Sequence, residues 1–209
     1  MKDALNCHAP KVLAGILFML LVGCATSEPA RFYLLSSLPS GGEIQRPADA
    51  PCVSIGIGPV RLPEYTNRPQ IVTRTTQNEL LRAQFDLWAE PLSDTFTRVV
   101  AENLTRLLCA KNVSLFLGNS SGPLDYRVVM DIMRMDGSLG KEAVLEVWWT
   151  ISNGAEKKVL ASKQSRFAEP VRAQGYEALV QAHSRILASF SLEIAQTINR
   201  LAKENPPQQ

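Results

Sequence analysis

Asp125-Tyr-Arg-Val-Val-Met-Asp-Ile-Met-Arg-Met135 and Glu142-Ala-Val-Leu-Glu-Val-Trp-Trp-Thr-Ile-Ser152 decide the fold of this 209-residue chain. The stretch between them carries Asp136-Gly137 and Gly140, so two β-prone runs flank turn-forming residues and predict a β-hairpin. In the second run Ala143, Leu145, Val147, Trp149 and Ile151 recur at every other position. That period places them on one side of a strand with one buried face. Asn153-Gly154 marks the next tight turn and sends Lys158 to Phe167 back as a neighbouring antiparallel strand.

Two helices flank this meander. Pro91 opens the first at a position where its missing N–H costs nothing, and Leu92, Phe96, Val99, Val100, Leu104, Leu107 and Leu108 share one face. Asp94 with Arg98 and Glu102 with Arg106 stand at helical pair spacing on the other. In the second, Tyr176, Leu179, Val180, His183, Leu187, Phe190, Ile194, Ile198 and Leu201 trace an apolar stripe closed by Pro206-Pro207. Upstream, Arg31 to Leu35, Val53 to Val60 and Val113 to Leu117 read as strands, and Ser36 to Pro51 as a loop. Pro63 to Glu90 reads as an irregular arm or hairpin with short β-prone pieces at Gln70 to Thr73 and Glu79 to Arg82. The expected fold is a single α/β (α+β) domain, a mixed, largely antiparallel sheet packed by two main helices.

The N-terminus carries a different grammar. Lys2 and Lys11 precede the uncharged run Val12 to Gly23, which ends at Cys24. A basic start, a short apolar core and small or aliphatic residues before a cut describe a secretory signal. Leu21-Val22-Gly23-Cys24 looks like a bacterial lipobox, in which the thiol accepts diacylglycerol and becomes the first residue of the mature chain; a cleaved signal without lipid is the alternative. The run falls short of the roughly 20 apolar residues of a spanning helix, and two acyl chains suffice for stable anchoring. The expected organisation is a signal peptide over 1–23, the lipidated Cys24 and a tether over 24–31, a folded domain over 32–203 and a tail over 204–209. Extended residues rise about 3.3 to 3.6 Å each, so the tether reaches about 25 Å and keeps the body close to its membrane. By the sorting rule of Gram-negative lipoproteins, Ala25 and Thr26 after the lipid site, with no Asp, point to the outer membrane, the domain facing the periplasm.

Removing residues 1–23 leaves 186 residues with 20 basic and 19 acidic side chains, enough for one sizeable core. The basic residues are scattered, so the footprint of a nucleic-acid binder is missing. Besides Cys24, Cys52 and Cys109 remain. An oxidising compartment favours their pairing, the alternative being two buried free thiols. With His8 lost, His183 is the sole imidazole and lies on the core-facing stripe of its helix, a structural position. No nucleophile, base and orienter spacing marks a triad, no Cys/His cluster marks a zinc site, and Gly56-Ile57-Gly58 lacks the third glycine and following helix of a dinucleotide site. Asp131 and Asp136, as a carboxylate pair on a hairpin, read as solvated edge residues. No catalytic residue, metal or cofactor is expected, and a hydrolase is the least favoured reading.

Ile57-Gly-Pro-Val-Arg-Leu-Pro-Glu-Tyr-Thr-Asn-Arg-Pro-Gln-Ile-Val72, Phe85-Asp-Leu-Trp-Ala-Glu-Pro-Leu92 and Arg31-Phe-Tyr-Leu-Leu35 together resemble the ABC-type transport auxiliary lipoproteins, the PqiC family, over nearly the whole mature chain. The resemblance implies a non-enzymatic, outer-membrane-anchored partner of an MCE-domain tunnel protein and its inner-membrane permease or ABC components, in phospholipid transport between membranes. A periplasmic lipid carrier with its own cavity and a structural envelope lipoprotein are the alternatives, and a homo-oligomer stays open. Contact with the partner is expected on the arm from Arg61 to Glu90, through Leu62, Tyr65, Arg68, Phe85 and Trp88. Exposed β segments recruit partners by strand addition, and aromatic residues and arginine dominate interfaces. The competing reading has Tyr65 and Trp88 simply covering the helix and sheet.

Overall fold

The computed structural model describes residues 28–39, 51–115, 123–154 and 158–204. The signal segment, Cys24, tether residues 25–27 and residues 205–209 lie outside the described residues. In chain order the elements are β1 (Arg31–Tyr33), β2 (Val53–Arg61), β3 (Gln70–Arg74), β4 (Leu80–Trp88), α1 (Leu92–Leu107), β5 (Ala110–Leu115), β6 (Tyr126–Gly137), β7 (Glu142–Asn153), β8 (Val159–Pro170) and α2 (Tyr176–Glu204).

The hairpin that decides the fold forms as β6 and β7, paired antiparallel from Tyr126 with Asn153 to Gly137 with Ala143. β8 continues the meander antiparallel to β7. β2 runs parallel to both β6 and β5, which gives a five-stranded sheet in the order β5-β2-β6-β7-β8. Ala143, Leu145, Val147, Trp149 and Ile151 are all buried, as their alternation requires. Two turn positions demand glycine. Gly140 holds a φ of +68° between β6 and β7, a region that side chains disfavour, and a Cβ at Gly154 would stand 2.0 Å from the Leu124 carbonyl oxygen.

Both helices pack on this sheet and on each other. Phe96 of α1 and Phe190 of α2 are fully buried with ring centroids 6.3 Å apart, and Phe167 meets Phe190 edge-on at 6.0 Å. Between the helices lies one buried polar linkage. The Asn103 amide donates to Ser191 Oγ at 3.2 Å and accepts the Leu38 N–H at 2.8 Å, while Ser191 donates to the Leu187 carbonyl at 2.7 Å. Leaving such a group unpaired costs about 1 to 3 kcal/mol, so the linkage selects one register of α1, α2 and the segment after β1.

Three local expectations are refined. Of the two forms expected for the arm the structure takes the hairpin, β3 antiparallel to β4, and β1 adds parallel to β4 to make a second sheet of order β1-β4-β3. Its register shifts between Gln70 and Val72, and that irregularity breaks the alternation by which β4 would be read from sequence. Arg98 pairs with Glu90 at 3.0 Å and Glu102 at 3.5 Å rather than with Asp94, because the Glu90 carboxylate, just before the helix, lies along its first turns and also accepts from Thr95. Asp136 is fully buried, not a solvated edge residue, because two arginines and a tyrosine converge on it.

Cys52, just before β2, and Cys109, just before β5, are bonded, with Cα atoms 4.4 Å apart. The Val53 N–H donates to the Cys109 carbonyl at 2.8 Å, so the parallel β2–β5 pairing begins beside the bond. The bridge spans 57 residues, and closing a loop of that size is worth roughly 4 kcal/mol in the unfolded-chain account. Peptide mapping without reductant is expected to recover Cys52 and Cys109 in one cross-linked fragment, and Cys52→Ala with Cys109→Ala to lower unfolding stability by about 2 to 4 kcal/mol; two free thiols would contradict the pairing.

Candidate functional site

The three-stranded sheet is held by two buried carboxylates. Asp86 of β4 accepts Arg31 Nε and Nη2 at 2.8 and 3.0 Å and the Tyr33 hydroxyl at 2.7 Å, a forked contact that locks β1 to β4. Burial, then the bond to Asp86, pushes the Tyr33 phenol up to about 12. Asp136 at the end of β6 accepts Arg74 Nη2 at 2.7 Å, Arg134 Nε at 2.8 Å and the Tyr65 hydroxyl at 2.9 Å. Burial pushes the Asp136 carboxyl up, but the bonds from Arg74, Arg134 and Tyr65 outweigh it and hold the group below the usual carboxylate range. Arg74 comes from β3 and Tyr65 from the turn after β2, so this carboxylate ties the small sheet to the large one.

Next to these networks the two most distinctive segments of the sequence come together. The Trp88 N–H donates to the Pro69 carbonyl at 2.7 Å, and Asn67, Arg68 and Pro69 face Trp88 to Leu92 across a cleft of about 460 Å³. Its apolar lining is Pro69, Trp88, Ala89, Pro91 and Leu92. Its cation is Arg68, whose Nη2 donates to the Glu64 carbonyl at 3.3 Å and whose buried Nε has no hydrogen-bond partner among the described residues. Glu90, the acid of the cleft, already accepts from Arg98 and Thr95. An apolar pocket with a guanidinium holding spare donor capacity suits a chain segment that brings a side chain and an acceptor.

Of the five expected contact residues, the structure brings Arg68 and Trp88 into this cleft and leaves the others outside its lining. Leu62 packs against the core, and Tyr65 spends its hydroxyl on Asp136. Phe85 is half-buried in β4. Trp88 is 8% exposed, so it covers the interior as well as walling the cleft. Pro69 and Glu90 stand inside the signature segments but were not among the expected contacts, and Pro91 was expected only as a helix start; their proximity depends on the β3–β4 register. His183 is buried on α2, its Nδ1 without a hydrogen-bond partner among the described residues. Among those residues no three of His, Cys, Asp and Glu gather to hold a metal ion, and no helix is long and apolar enough to cross a membrane.

Residues 33–195 match the family described as ABC-type transport auxiliary lipoprotein component. The chain belongs to that family. It is therefore an auxiliary lipoprotein of the periplasm and not an enzyme. The chain is similar to the intermembrane transport lipoprotein PqiC of Escherichia coli, 25% identical over 193 residues that cover 91% of this chain and 98% of that protein. The PqiC of Shigella flexneri stands at the same identity and coverage. Among solved structures, a Xanthomonas campestris protein superposes with a TM-score of 0.69 at 17% identity, over 84% of this chain and 98% of the other. A second crystal structure gives 0.61 at 16% identity, over 83% and 99%. These two establish the fold.

The buried groups set the pH response of this auxiliary domain. Burial lowers the His183 pKa from 6.5 to about 4, and the nearby Asp136 charge only partly opposes it. The unfolded chain therefore binds the extra proton between these values, so stability is complete above pH 6.5 and falls toward pH 4. Urea unfolding is expected to show a loss of about 3 kcal/mol across that window, which His183→Leu flattens. Asp136, held low, adds stability that is lost only in stronger acid. Asp136→Ala strands two arginines and is expected to cost about 3 to 5 kcal/mol at neutral pH; a change within measurement error would remove its role as the tie between sheets.

Proposed function

We propose that this protein is the lipid-anchored, outer-membrane docking component of an MCE-type system for phospholipid transport between membranes, and that a partner segment seats in the Arg68–Trp88 cleft. The observation that carries this reading is the near full-length likeness to an intermembrane transport lipoprotein, combined with the convergence of its two signature segments on one cleft. Acylation of Cys24 would supply the anchor, and an MCE-domain tunnel protein with its inner-membrane permease or ABC components would supply the partner.

The filled interior counts against a carrier that shields acyl chains in its own core. Trp149, Phe96, Phe190, Ile55, Ile57, Leu104, Met130 and Leu145 occupy the space between sheet and helices, and the Arg68–Trp88 cleft opens at the surface. Lipid would then pass through the partner, with this domain holding it at the membrane.

Affinity capture of the mature chain from detergent-solubilised envelopes, followed by mass spectrometry of proteins and lipids, is the test. Recovery of an MCE-domain protein is expected, with phospholipid confined to that partner. Arg68→Ala is expected to reduce the recovery by roughly tenfold or more, as removal of an interface hot spot does, without lowering stability, since Arg68 makes a single long side-chain bond. Stoichiometric phospholipid on this chain with no MCE-domain protein would instead favour the carrier.

A further inference from the structure

We propose that the outer face of the three-stranded sheet is a seat on the lipid surface, with Phe32 and Leu34 entering the boundary between headgroups and acyl chains. The proposal rests on Cys24 being the anchor. It adds an orientation that an acyl anchor alone does not impose.

The register defines the face. Phe32 of β1 lies opposite Leu87 of β4, and Leu87 lies opposite Gln70 of β3. These three side chains therefore share the side of the sheet opposite to Arg31, Tyr33, Asp86 and Trp88. Phe32 is 64% exposed and Leu34, just beyond β1, is 46% exposed. Phe32 is held in a strand: β1 is clamped to β4 by the Arg31–Asp86 fork and the Tyr33–Asp86 bond, so the geometry that turns Asp86 inward turns Phe32 outward. Exposed apolar side chains in water are a cost that burial against an apolar partner would recover.

Tether length selects that partner. Phe32 stands eight residues after Cys24, and a chain of that length reaches at most about 29 Å when fully extended. With the acyl chains of Cys24 in a bilayer, the headgroups are the surface nearest to β1. Interfacial elements bury their apolar side about 5 to 10 Å deep, a depth that Phe32 and Leu34 satisfy without unfolding β1. Trp88 lies on the other side of the sheet, so seating Phe32 leaves the Arg68–Trp88 cleft accessible to a partner.

The test is fluorescence of a Phe32→Trp variant of the mature chain in phosphatidylethanolamine and phosphatidylglycerol vesicles whose acyl chains are brominated near the headgroup. The emission added by Phe32→Trp is expected to be quenched roughly twofold or more, as for an indole seated at that depth. Trp148, 47% exposed on the outer face of the large sheet, is the internal control: its contribution, read by difference with Trp148→Phe, is expected to be unquenched. Added emission that bromine does not reach would overturn the seat. So would protection of that emission in lipid-free solution that grows with protein concentration, because a second copy would then be the occupant. Intact mass reports acylation of Cys24 separately. An acylated chain without quenching removes the seat and keeps the anchor, and an unacylated chain quenched by added vesicles does the reverse.

Discussion

The arrangement of this molecule depends on one buried carboxylate. Asp136 stands at the end of β6, in the large sheet, yet its acceptors are taken by Arg74 of the small sheet, Tyr65 of the turn between them and Arg134 of its own strand. A buried charge without such partners would cost several kcal/mol, so the two sheets reach a stable arrangement only when these donors converge. The same end of the molecule is tightened by Ser138, whose hydroxyl donates to the Arg74 carbonyl at 2.5 Å. Position, rather than net stability, is what a paired buried charge contributes here.

Once that tie is made, the placement of the functional surfaces follows. β3 is fixed against β6, β4 pairs with β3, and β1 is forked onto β4 through Asp86. The β3–β4 register brings Pro69 beside Trp88, which closes the cleft, and the β1–β4 register sets Phe32 on the opposite side. One small sheet thus presents two different surfaces, a mixed cleft with a guanidinium and an apolar strip. The large sheet and the two helices supply the rigid body that carries it. A lipid-anchored domain of an auxiliary lipoprotein has a use for both: one side to meet a membrane and another to meet a protein.

Much of the rigid body was legible in the sequence. The period-two row from Ala143 to Ile151 and the apolar stripes of both helices need only burial on one face, and burial is what alternation encodes. The small sheet was legible only in fragments. Its β1–β4 pairing is parallel and joins residues 55 positions apart, as Arg31 and Asp86 are, and no local pattern encodes a pairing of that range. Asp136 shows the same limit from the other direction: a carboxylate beside a glycine reads as a turn residue until Arg74 arrives from 62 positions away. The cleft joins two signature segments, so Arg68 and Trp88 were visible in the sequence, while the inward bond of Tyr65 to Asp136 and the core packing of Leu62 depend on partners far along the chain.

The central claim is that the Arg68–Trp88 cleft holds a segment of an intermembrane transport partner. Its most direct test is site-specific photo-crosslinking in cells from position 67, where the exposed Asn67 borders the cleft, compared with position 162 on β8, where Ser162 is exposed on the large sheet. A crosslink to an MCE-domain protein from position 67 and none from position 162 is the predicted result; equal crosslinking from both positions, or none from position 67 in cells that contain the partner, would contradict the account.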